Sequence, residues 1–130
     1  MDIKISAPIQ VEFDLLESDD RLPSVKFRFF VDTARMASSL HCSGEIWITC
    51  SAFDCFLSGL VEGKRPSRLA SIDERFLLEI LENDSGIFFR WAWKLEGSFS
   101  FSTSSFVEIP INEDEISAIR NVFDSFPKWW

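Results

Sequence analysis

The chain has 130 residues, about the length of one domain, and its acidic residues outnumber its basic ones by 21 to 13, a formal net charge of −8. That balance excludes the usual nucleic-acid binders, whose affinity comes from Lys and Arg set against phosphate. A hydrophobic content of 46%, with 14 Phe and 5 Trp, excludes disorder and predicts a single domain, 1–130, whose core needs neither disulfide nor metal.

The first clear element is a strand in which Val11, Phe13 and Leu15 alternate with Glu12 and Asp14, the period-2 mark of a half-buried sheet. Residues 17–21 read as a polar turn, which Leu22-Pro23-Ser24 closes. Val25, Phe27, Phe29 and Val31 then line one face of a second strand, with Lys26, Arg28 and Asp32 on the other. Residues 33–44 read either as a loop or as a bent strand. Glu45 to Thr49 forms a third strand, with Ile46 and Ile48 opposite Trp47.

A helix follows near Ser51, where Ser51 and Asp54 stand at capping-box spacing. Phe53, Phe56, Leu57 and Leu60 give it one apolar stripe, and Gly63 stands where a glycine ends a helix. Residues 62–68 read as an exposed basic loop. Leu69 to Leu81 reads as one extended stretch with Phe76, Leu78 and Ile80 on a common face.

After a turn at 82–86, Ile87, Phe89, Trp91, Trp93 and Leu95 alternate with Phe88, Arg90, Ala92 and Lys94, the clearest strand in the chain. Glu96-Gly97 is short enough for a tight hairpin, and Phe99 and Phe101 then alternate with serines. Residues 75–108 therefore predict an antiparallel meander. Asn112 and Glu115 form a capping box for a second helix, Ile111 and Ile116 take the staple positions, and Pro127 stops it. No repeat is visible in the residues. The sum is an α+β fold, a largely antiparallel sheet of about six strands with two helices packed on one face.

Sites for chemistry are sparse. The three cysteines, Cys42, Cys50 and Cys55, have no Cys-x-x-Cys spacing and only His41 to join them, so no metal and no cofactor is expected. His41 adjoins Cys42, but neighbours in a strand point to opposite faces. Cys50 has the one argument for reactivity, since a helix N-terminus lowers a thiol pKa. Glu12 and Asp14 share a strand face as solvated carboxylates do, and Glu113, Asp114 and Glu115 complement a helix dipole. No stretch has the apolar length of a signal peptide or a membrane span, so a cytoplasmic protein is expected, with no membrane partner.

The aromatic residues carry a different function. Trp91 and Trp93 share the face of Phe89 and read as core, whereas Trp129 and Trp130 follow the helix stop and either clamp onto the domain or anchor a partner. Asp19, Asp20, Glu113 and Asp114 are the acidic candidates beside them. The alternative is a small-ligand domain with a pocket between sheet and helix, lined by Phe89, Trp91, Trp93 and Phe101. A third reading, an enzyme, would rest on Cys50 or His41. An uncovered sheet edge would also support a homodimer.

The order of features from about residue 25 onward resembles the small bacterial immunity proteins encoded with polymorphic toxins, especially the family associated with wall-associated-protein (WapI-type) toxins. The residues that carry the likeness are Glu45-Ile46-Trp47-Ile48, the helix Phe53-Asp54-Cys55-Phe56-Leu57-Ser58-Gly59-Leu60, Arg68-Leu69-Ala70 and Phe76-Leu77-Leu78-Glu79-Ile80. The strand led by Gly86, the Phe99/Phe101 strand and the closing helix with Phe126-Pro127 complete it. The resemblance implies a non-enzymatic cytoplasmic protein that masks a toxin domain. The net acidity would draw such a protein to a basic toxin surface.

Overall fold

The computed structural model describes residues 2–33, 39–96 and 102–130. In chain order the described elements are β1 (Ile3–Ile5), β2 (Gln10–Asp19), β3 (Ser24–Asp32), β4 (His41–Thr49), α1 (Cys50–Glu62), β5 (Ser67–Ala70), β6 (Phe76–Asn83), β7 (Gly86–Glu96), β8 (Ser102–Pro110) and α2 (Glu113–Asp124). The fold is α+β and antiparallel throughout, as expected, but it holds two four-stranded sheets rather than one of about six strands. The orders β1-β2-β3-β4 and β5-β6-β7-β8 make each sheet a meander followed by a helix. The element order thus repeats although the residues do not.

The division into two sheets follows from α1, which lifts the chain off the edge strand β4 before β5 begins a new sheet. Each meander has one face of Phe, Ile and Val, and the two faces bury each other. Phe29 of the first sheet lies 5.0 Å from Phe76, 4.9 Å from Trp93 and 6.2 Å from Trp91 of the second. Gly44 is required there, because a Cβ on it would stand 2.9 Å from Phe29 and 3.0 Å from Trp93. The helices pack together and against the strands β1, β4 and β5, and Phe126, just past α2, reaches Phe27 on the inner face of the first sheet at 5.8 Å. Phe123 of α2 joins the layers, with Phe13, Phe53 and Phe56 around it at 6.1, 5.5 and 5.1 Å.

Several boundaries differ from the sequence reading. β2 runs through Asp19, with a bulge between Leu15 and Glu17, so the turn is shorter than 17–21. Of residues 33–44, the last four belong to β4, while 34–38 lie outside the described residues. Thr49, not Ser51, caps α1, its hydroxyl accepting from the Ala52 N–H at 3.1 Å. Gly63 ends that helix in the left-handed region at φ 70°. The basic loop ends at Pro66, since Ser67 is buried as the first residue of β5.

The stretch 69–81 is two strands rather than one. The Ser71 hydroxyl donates to Asp73 at 2.6 Å and accepts from the Phe76 N–H at 3.0 Å, which folds the chain back on itself between β5 and β6. The β6–β7–β8 meander, the Asn112–Glu115 capping box and the buried Ile111 and Ile116 are as expected. The Gly97 hairpin, Phe99 and Phe101 lie outside the described residues.

The outer face of the second sheet carries a charge ladder. Register places Arg68, Glu79, Arg90 and Glu108 side by side across its four strands. Glu79 accepts from Arg68 at 2.9 Å and from Arg90 at 3.2 Å, and Arg90 reaches Glu108 at 3.2 Å. The two arginines cover Glu79 so fully that it is 6% exposed although it points outward. Burial of a carboxylate at this depth is tolerated because both of its oxygens are paired.

Candidate functional site

The start of α1, the β2–β3 turn and the C-terminal tail meet at one end of the molecule. The Cys50 N–H donates to the Pro23 carbonyl at 2.9 Å, which ties the turn to the helix. Asp54, one turn into α1, is where the tail attaches. Lys128 pairs with it at 2.8 Å, and the indole Nε1–H of Trp130 donates to its two oxygens at 3.2 and 3.0 Å. The Trp130 ring stands edge-on to Phe53 at 5.5 Å. Trp129 packs edge-on against Trp130 at 5.3 Å and remains 51% exposed. A half-exposed indole on a fixed aromatic base has little conformational entropy left to lose on contact.

The six candidate residues divide between two places. Asp20 belongs to this end, since its charge acts on the Cys50 thiol. Asp19, beside it, accepts from the Arg21 N–H at 2.8 Å and so shapes the turn. Glu113 and Asp114 start α2 at the far end of that twelve-residue helix, about 18 Å from its C-terminus and the tryptophans. They complement the helix dipole, and Asp114 borders a groove of about 340 Å³ between α2 and residues 4–7. Asp54 and Lys128 complete the aromatic end. Sequence reasoning assigned Asp54 to a cap and so missed its bond to a residue 76 positions away.

The thiols behave differently from the expectation at a helix start. Burial pushes the Cys50 thiol above its ordinary pKa, and the negative charge of Asp54 adds to it. A backbone N–H opposes the shift, and Asp20 raises it slightly further. Burial raises Cys42 as well, while Cys55 is exposed. His41 lies on the outer face, its Nδ1 3.5 Å from Asp32 in a cleft of about 300 Å³, whereas Cys42, half-buried, packs against the core. His41 and Cys50 flank the ends of nine-residue β4, roughly 30 Å apart, so the structure does not bring them together. Glu12 shares the outer face and pairs with Lys4 at 3.6 Å.

Phe89 and Trp91 are fully buried, and Trp93 is wedged between Phe29 and Gly44, so side chains fill the space foreseen for a ligand. Among the described residues no group of three or more His, Cys, Asp or Glu is arranged to hold a metal ion, and no helix is long and apolar enough to cross a membrane. Comparison of the chain with protein-family models, with curated proteins and with solved structures finds no match.

Proposed function

We propose that this chain is a non-enzymatic interaction protein of the immunity type, which binds and neutralises a basic toxin domain in the bacterial cytoplasm. The observation that carries the reading is Trp129, half-exposed on the Trp130–Phe126 base and set at the end of the molecule that also holds Asp19, Asp20 and Asp54. An aromatic anchor supplies the contact area, and the acidic rim supplies attraction and register toward Lys- and Arg-rich surfaces. The layout likeness to the WapI-type immunity family and the net charge of −8 support the same reading.

The test is a pull-down from the native host with the wild-type chain and with W129A, followed by co-expression with the captured domain. The expected result is a toxin domain that the wild type retains and silences and that W129A loses while staying folded. Recovery of no protein, or equal retention by W129A, overturns the proposal. The groove beside Asp114 favours a second reading, a small-ligand domain. A ligand that raises the melting temperature of the wild type but not of an Ala118→Trp variant, which fills that groove, would support it instead.

A further inference from the structure

We propose that the outer face of the second sheet is a self-complementary surface on which a second copy of this chain docks. This inference is independent of the partner-masking reading.

The ladder Arg68–Glu79–Arg90–Glu108 alternates in sign across four adjacent strands and sums to zero charge, in a chain whose net charge is −8. Two-fold symmetry can place one copy of the face on another in two ways. With the axis along the ladder, each residue meets its own equivalent and all four contacts are repulsive. With the axis along the strands, between β6 and β7, the order reverses. Arg68 then lies over Glu108 of the second copy, an attractive contact made twice, and Arg90 lies over Glu79, which its own chain already covers, so no like charges of the ladder face each other. A closed isologous dimer needs this kind of pattern, since one patch must complement itself.

The neighbouring row obeys the same symmetry in size rather than charge. Register aligns Ala70, Leu77, Ala92 and Phe106. Reversal sets Phe106, 59% exposed, over Ala70 of the second copy, and Leu77 over Ala92. Each large side chain thereby meets a small one. Two pairs are not matched: Arg75 over Lys94, which falls at the rim where solvent screens it, and Leu81 over Phe88, large on large, in the row on the other side of the ladder. Stacked sheets cross at about 30°, which preserves the central contacts and spreads the rim ones.

Four strands about 4.8 Å apart and three rows of side chains span roughly 20 Å by 20 Å. A face of that size buries roughly 800 Å² in total, just below the limit of about 1,000 Å² for a specific interface, so the dimer is weak and reversible.

Sedimentation equilibrium of the full chain from about 1 to 500 μM tests the proposal, with circular dichroism to confirm folding. F106S should weaken the dimer tenfold or more. R68E and E108R should each weaken it, because each sets like charges across the interface, and the double variant R68E/E108R should recover most of the loss. Residues 68 and 108 stand three strands apart, about 14 Å within one chain, so only contact between copies allows this rescue. A chain that remains monomeric throughout, a dimer indifferent to F106S, or a double variant as weak as the singles overturns the proposal.

Discussion

The indole Nε1–H of Trp130 donates to both carboxylate oxygens of Asp54, at 3.2 and 3.0 Å, and so fastens the last residue of the chain to the first turns of α1. Lys128 joins the same carboxylate at 2.8 Å. One side chain therefore anchors the tail that presents Trp129.

Replacing Asp54 by Ala removes both attachments. All three side chains are partly exposed, so the ion pair is worth little and the indole bond carries most of the effect. D54A should cost about 1 kcal/mol in urea unfolding and shift tryptophan emission to the red. An unchanged spectrum would show that the tail holds without Asp54.

Trp129 and Trp130 should separate function from stability. Trp130 packs on Phe53 and Phe126 and makes the Asp54 bond, whereas Trp129 is about half exposed. W130A should lower stability by about 2 kcal/mol, and W129A by well under 1 kcal/mol, as truncations of partly buried and surface groups do. Chemical denaturation of both variants checks the ordering.

Gly44 should reject any side chain. An added Cβ would press on the Phe29 and Trp93 rings, Phe29 being fully buried. G44A should cost about 1 to 3 kcal/mol, the range for overpacking a core. A melting temperature equal to that of the wild type would show that the rings make room.

The buried Cys50 and half-buried Cys42 thiols should make stability fall in alkali. Cys50 and Cys42 have raised pKa values in the folded chain, first because of burial. Well below the ordinary value of 9.0 both states hold the protons and the groups contribute nothing. Above it the unfolded chain releases protons that the folded chain keeps, which favours unfolding. The wild type should therefore lose more stability between pH 8 and 10 than C42S/C50S, with free energies from urea titrations as the measure. Equal losses would sink the assignment. At neutral pH, Cys55 should be the first thiol to react with a soluble disulfide reagent, because it is exposed.

What the residues alone determined was local. The period-2 runs at 25–31 and 87–95 and the Asn112–Glu115 box define strands and a helix cap through contacts a few residues apart, and the structure has them where expected. The dry aromatic core was legible for the same reason, since Phe13, Phe29, Phe89 and Trp91 each fall on an alternating apolar face. The tertiary structure decided which apolar face meets which. A strand that hides one face is satisfied equally by a helix or by another sheet, so the periodicity of 76–80 could not choose between them. Nor could it show that Arg68, Glu79, Arg90 and Glu108 align, because register depends on pairing between strands rather than on either strand alone. The bond from Trp130 to Asp54 was hidden for a related reason. It closes a loop of 76 residues, and only the packing of both helices brings its two ends together.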